Sequence, residues 1–174
     1  MRAPERRGPV HVVTSFIMKD GKVLLLKRSQ KVGTYRGKWA AVSGYMEPGE
    51  RPLERALTEI REETGLERDR LVLVGIGPEM PITGTDFIVH PFLFELGNPT
   101  DTFHPGAQRI VFDDPFPNLD WEHTESRWVD PPELSILDTV PQLAEVFEAA
   151  RNGGCRVPGA GGREPGAGTN SRHP

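Results

Sequence analysis

The spacing of apolar residues changes period along the chain, and each change marks an element. The runs "VHVVTSFIM" (residues 10–18) and "KVLLLKR" (Lys22–Arg28) are rich in Val, Ile and Leu and are separated by "KDG", which predicts a β-hairpin with a tight turn. "KVGTYRGKWAAVSG" then reads as a glycine-punctuated loop entering a short strand at residues 39–42. Further strands are expected at Leu71–Ile76, Phe87–Leu96, residues 109–112 and residues 126–129. Two stretches carry the helical period instead, 53–64 and 140–151, the second with Leu143, Val146 and Phe147 on one face. Strands surrounding two helices predict an α/β (α+β) domain whose mixed sheet is sandwiched by helices.

The ends of the chain lack such a pattern. Residues 1–8 form a short polar lead-in, expected to be flexible, and residues 152–174 are dominated by Gly, Pro and polar side chains. A segment of that composition buries too little apolar surface to offset its ordering entropy, so it is expected to be disordered. A single domain over residues 9–151 remains, without internal repeats.

The first helix carries the chemistry. Leu53, Ala56, Leu57 and Ile60 follow the i, i+3, i+4, i+7 rule and form a core-facing stripe. With about 100° of turn per residue, Glu59, Glu62 and Glu63 flank that stripe and can reach one small volume. Gly65 supplies the helix stop. A solvated face, with Arg55 pairing Glu59 and with Arg51 and Arg61 screening the rest, is the plain account of such a helix. Two features argue for more. Glu59 and Glu63 are a like-charge i, i+4 pair, and the loop "SGYMEPGE" brings Glu47 and Glu50 beside the same helix. Hard carboxylate oxygens gathered in this way suit Mg²⁺ or Mn²⁺, which retain waters and bridge to phosphates.

Composition narrows the function. A net charge of −4 opposes a protein built to grip a nucleic-acid polymer through its phosphates, but leaves a single nucleotide open as substrate. Cys155 is the only cysteine, so neither a disulfide nor a thiolate metal site is expected, and a reducing cytoplasm is the natural setting. The charged start "MRAPERRGP" has no apolar signal-peptide core after it, and no apolar run reaches the roughly 18 residues of a membrane span.

The stretch from Gly44 to Leu66 resembles the signature box of the Nudix hydrolase family: Gly44, then Glu50, then Glu59, Ile60, Arg61, Glu62, Glu63, Thr64, Gly65 and Leu66 at the family's spacing. The likeness extends loosely over residues 10–150 and implies a Nudix-like α/β/α sandwich. Two positions depart from the box. Thr58 stands where the family has an Arg that orients the neighbouring carboxylates, and Val42-Ser43 stands where Pro-Gly is common. Arg55, one turn earlier, is a candidate substitute for the missing cation.

What the resemblance implies is metal-dependent hydrolysis of a nucleoside diphosphate linked to another moiety, giving a nucleoside monophosphate and a phosphorylated product. Glu59, Glu62 and Glu63 would hold the divalent ion together with the Gly44 carbonyl oxygen, and Glu50 would brace the loop. The general base is expected at Glu59 within the box, or at Glu122 or Glu125 in "DWEHTESRW"; His123 in the same run is expected to be an ordinary surface residue. Arg28, Lys31 and Arg36 are candidates for meeting substrate phosphates, with plain surface charge as the competing account. Trp39, Phe92 and Phe94 can stack on a base, although their strand spacing better suits a core. An NTP or an ADP-ribose-like compound fits as substrate. Pro81, 15 residues beyond the box, resembles ADP-ribose-cleaving members, and "LLLKRS" weakly resembles part of a motif in coenzyme A-cleaving ones. The long loop from Asn98 is expected to shape the pocket. Dimers are common among similar proteins, so a homodimer is also among the expectations. The alternative is a regulatory module of the same fold that binds a nucleotide ligand without turnover; its usual mark, loss of the metal carboxylates, is missing here.

Overall fold

The hairpin forms as its sequence predicts. The structure, a computed structural model, describes residues 8–97 and 119–154. Strand β1 (Val10–Lys19) and β2 (Lys22–Arg28) are antiparallel and joined by Asp20 and Gly21. Both turn residues have positive φ, 50° and 76°, the backbone of a type I′ turn, whose twist matches that of the flanking strands.

Among the described residues, eight strands make one mixed sheet with β3, β2, β1, β7 and β5 as its path. β1 and β7 (Phe87–Leu96) pair in parallel with Val12 opposite Val89. All other ladders are antiparallel: β3 (Trp39–Ala40) and β8 (His123–Val129) on β2, β4 (Val42–Tyr45) on β1, and β5 (Leu71–Ile76) and β6 (Met80–Pro81) on β7. β4 takes the place along β1 that β2 leaves beyond the turn, and so places Gly44 opposite Val13.

Alternation along the strands sends side chains to two cores. Val13, Ile17, Leu24, Leu26, Phe92 and Phe94 pack under α1 (Pro52–Thr64) with Ala56 and Ile60. Phe16, Val23, Leu25, Val89 and Leu93 pack under α2 (Leu143–Gly153) with Val146, Phe147 and Ala150. Phe16 and Phe147 meet edge to face at 5.2 Å. The helices therefore cover opposite faces of the sheet. α1 opens on Pro52 and closes at Gly65, whose φ of 73° lets its N–H return to the Arg61 carbonyl at 2.9 Å.

The structure differs from the sequence reading in four places. The strand expected at 39–42 is two, β3 and β4, parted at Ala41 because they pair with different neighbours. α2 begins three residues later than its periodicity suggests: the Val140 N–H is taken by the Trp39 carbonyl at 2.9 Å, and Gln142 adopts a left-handed φ of 57°. The same helix runs on through Asn152 and Gly153, which by composition belong to the Gly- and Pro-rich tail. β8 starts at His123 rather than 126. The strand expected at 109–112, Cys155 and the loop after Gly97 as far as residue 118 lie outside the described residues. No helix among the described residues is long and apolar enough to cross a membrane.

Candidate active site

The loop between β4 and α1 is held by its own glutamates and one arginine. The Glu47 N–H donates to Glu50 Oε2 at 2.8 Å, and the Glu50 N–H to the Glu47 carbonyl at 3.1 Å. Arg55 reaches Glu50 Oε1 at 3.7 Å and also donates to Glu59 Oε1, so one guanidinium ties the loop to the helix. Thr58 is turned to its own helix, its hydroxyl donating to the Glu54 carbonyl at 3.0 Å.

Gly44 is where the loop and the helix come closest. A Cβ added there would lie 2.0 Å from Glu59 Oε1, so only glycine leaves room for that carboxylate. Glu59 is 6% exposed. Burial raises its pKa, Arg55 opposes the shift, and the charges of Glu62 and Glu122 add to it.

Glu63 is sealed further in, 2% exposed. Its Oε2 is buried without a hydrogen-bond partner; His123 Nε2 stands 3.8 Å away. Burial pushes its carboxyl well above the ordinary range, and Glu59, Asp120 and Glu122 push the same way against Arg28. A buried, unpartnered carboxylate oxygen beside other carboxylates is costly unless a proton or a cation shares it.

His123 corrects an expectation. It is not a surface residue but 7% exposed, with Nδ1–H donating to Asp120 Oδ1 at 2.9 Å. Burial lowers its pKa, with Asp120 opposing, which favours the neutral ring. Strand β8 begins at this residue and carries the ring against α1, a pairing across 60 positions that local sequence does not reveal.

A cavity of about 410 Å³ opens beside these groups. Its wall carries Arg28, Gly44, Arg55, Glu59, Glu62 and Glu122, and also the apolar side chains of Val12, Ile82, Phe87, Val89 and Val140. Of the residues singled out from the sequence, then, Arg28, Gly44, Glu47, Arg55, Glu59, Glu62 and Glu122 share one cavity, with Glu63 buried behind them. The others lie elsewhere. Glu125 pairs with Lys27 at 3.1 Å on the exposed side of β8. Lys31 is exposed, and Arg36 donates from Nε to the Val32 carbonyl at 2.9 Å. Trp39 packs against the α2-side core, under Lys27 Nζ at 5.6 Å. Phe92 and Phe94 are core beneath α1. Pro81 is exposed, opposite Ile88. None of these seven lines the cavity. Phe87 and Ile82 were missed; alternation along β7 from Val89 would have placed Phe87 on the same wall.

The residues present suit a hard divalent ion: several carboxylates converge from α1, Glu63 offers an unpartnered buried oxygen, and Gly44 leaves space beside Glu59. The three box glutamates are nevertheless spread. Among the described residues the trio of His, Asp and Glu whose ligand atoms lie within 4.8 Å of one another is His11, Glu79 and His90. Arg55 pairs with Glu59, and like charges on one helix repel one another.

Comparison with known proteins agrees with this geometry. The NUDIX domain model matches residues 8–150. The nucleoside triphosphatase NudI of Salmonella newport (strain SL254) is 31% identical over 137 residues, covering 73% of this chain and 86% of that protein. Among solved structures, a NUDIX hydrolase from Nitrosomonas europaea superposes with a TM-score of 0.59 at 22% identity, over 83% of this chain and 90% of the other. The MutT protein from Methanosarcina mazei Go1 gives 0.57 at 26% identity, over 82% and 93%. The chain belongs to the NUDIX family. The fold and the Nudix hydrolase assignment expected from the box are thereby borne out.

Proposed function

We propose that the protein is a divalent-metal-dependent nucleoside triphosphate pyrophosphohydrolase, cleaving an NTP to the monophosphate and pyrophosphate. One observation carries this reading: a single cavity joins the box carboxylates and Arg28 to an apolar wall of Ile82, Phe87, Val89 and Val140. That combination suits a ligand charged at one end and carrying a planar base at the other. The relative named as a nucleoside triphosphatase favours the triphosphate, whereas Pro81, the residue that pointed to ADP-ribose, is off the cavity.

Glu59, Glu62 and Glu63 would hold the ion with the Gly44 carbonyl. Bound there, it would supply charge neutralisation on the phosphates and a more acidic water. Arg28, tethered through Nε to the Thr34 carbonyl at 2.9 Å, would meet phosphate oxygens. Glu122 is the better-placed base of the two outside the box, since it lines the cavity, where its carboxylate would accept the proton of an attacking water. His123, pinned by Asp120, would hold Glu63 in position. The apolar wall would take the base and exclude water from that half of the pocket.

The test is a panel of NTPs, oxidised NTPs, ADP-ribose, dinucleoside polyphosphates, NADH, coenzyme A and nucleotide sugars, with Mg²⁺, with Mn²⁺ and with chelator. Metal-dependent release of monophosphate and pyrophosphate from an NTP, absent in the Glu62→Gln, Glu63→Gln double variant, is the expected result. Turnover of ADP-ribose alone would overturn the triphosphate assignment, and binding without turnover of any compound would overturn the enzyme.

A further inference from the structure

His11 and His90 stand 79 positions apart in sequence and side by side in the sheet. β1 and β7 run parallel with Val13 opposite His90 and His11 opposite Ile88, so alternation sends both imidazoles to the α1 face. Val12 and Val89 of the same two strands face the other way, into the apolar wall of the cavity. His11 Nδ1 and His90 Nε2 are 2.8 Å apart. At that distance one nitrogen carries a proton and the other a lone pair directed at it. His90 is 9% exposed, and its near neighbour on the other side is Glu79, whose Oε1 is 3.7 Å from His90 Nδ1. One nitrogen of each ring and a Glu79 oxygen all fall within 4.8 Å of one another.

We infer that His11, His90 and Glu79 form a second metal site, separate from the box, that takes a borderline transition cation of the Zn²⁺ class. Two imidazole nitrogens and one carboxylate select such an ion over Mg²⁺, which prefers all-oxygen ligation. The pair is preorganised, because both rings project from strands locked in register over nine residue pairs. Nitrogens about 2.0–2.1 Å from one Zn²⁺ stand roughly 3.3 Å apart in a tetrahedron. The rings therefore need to part by only about 0.5 Å once the shared proton has moved to the outer nitrogen of its own ring, a movement within side-chain rotation. Glu79 is 63% exposed in its side chain, so it can swing onto the ion as third ligand while solvent completes the coordination. If it stays at His90 Nδ1, it accepts that N–H and directs Nε2 to the metal, the usual supporting role of a carboxylate behind a ligating histidine. The box offers only oxygens, so the two sites differ in the ion they select.

The experiment uses the full chain, stripped of metal and then held in excess Mg²⁺ to occupy the carboxylates. Zn²⁺ is titrated against a chromophoric chelator, and Co²⁺ absorption in the visible reports nitrogen ligation. The expected result is one Zn²⁺ per chain in the wild type and in the Glu62→Gln, Glu63→Gln variant, with affinity at least tenfold weaker in His11→Ala and in Glu79→Ala. Circular dichroism checks that each variant is folded; Glu79 is exposed, so its variant carries the test if His11→Ala is not. No Zn²⁺ binding to the wild type overturns the site. So does binding that survives both His11→Ala and Glu79→Ala, or binding that disappears with the box glutamates alone.

Discussion

Gly44 lies so close to Glu59 that a methyl group on its Cα would sit 2.0 Å from the Glu59 carboxylate oxygen. The strand that enters the box and the helix that leaves it therefore meet through the absence of a side chain. Gly44→Ala must displace the carboxylate, whose partner Arg55 is fixed to the loop through Glu50. The expected outcome is a fall in kcat of at least about tenfold, or about 1.4 kcal/mol of transition-state stabilisation, with the fold intact. Steady-state kinetics beside circular dichroism check it, and an unaltered kcat would remove Glu59 from the working site.

Arg55 rather than Thr58 is the cation that organises the glutamates. It bridges Glu50 and Glu59, while Thr58 spends its hydroxyl on its own helix. Arg55→Gln leaves Glu59 buried without its counter-charge. It is expected to lower kcat/KM by roughly tenfold or more, since losing one partner of a buried pair costs several kcal/mol locally. Thr58→Ala is expected to change it less than about twofold. Equal losses from the two variants would argue that Thr58 replaces the family arginine directly.

Glu63 links the site to pH. In the metal-free protein its carboxyl titrates above the ordinary 4.5 because it is buried among other acids. The folded state thus holds a proton that the unfolded chain has already released. Its contribution to stability is fully present below about 4.5 and is lost as pH rises through the raised folded value. The lowered pKa of His123 acts oppositely, its contribution being lost as pH falls from about 6.5 toward its folded value. Comparison with Glu63→Gln isolates the first effect. With chelator present, the variant's Tm is expected to gain on that of the wild type between pH 5 and pH 8, by about 2–4 °C for each kcal/mol. Saturating Mg²⁺ should close the gap, because the ion takes the proton's place. Parallel melting curves in chelator would show that Glu63 is already ionised without metal.

What the sequence revealed about this chain was local. The Asp20-Gly21 turn, the stripe of Leu53, Ala56, Leu57 and Ile60, and the box spacing all depend on residues a few positions apart, where period and turn chemistry decide the structure. Residues brought together by distant pairing were hidden. His123 reads as a loop residue until β8 joins β2 and presses it toward Glu63. Trp39 reads as either a stacking platform or a core residue until its strand turns it to the α2-side core. β6 is two residues long and contains a proline, and only its ladder to β7 defines it. The candidate site divides the same way: the carboxylates of α1 were legible, whereas the apolar wall that completes the cavity comes from β1, β7, Ile82 after β6 and the approach to α2.

A second glycine makes a close approach with a different consequence. Gly75 sits where β5 shifts register against β7, between Leu73 and Gly75, and a Cβ there would lie 2.2 Å from the Ala150 carbonyl oxygen of α2. That neighbour is backbone of a helix packed through Val146, Phe147 and Ala150, so it cannot rotate away. Gly75→Ala must push α2 off the sheet, with an overpacking cost of about 1–3 kcal/mol and a Tm lower by about 2–4 °C per kcal/mol. Gly75 does not line the cavity. Below its melting temperature the variant should therefore keep the kcat of the wild type, the reverse of what Gly44→Ala should show. Urea melts and kinetics on the two alanine variants together separate the glycine that serves packing from the glycine that serves the site; a lost kcat in Gly75→Ala at full folding would show that the seat of α2 controls the cavity it helps to line.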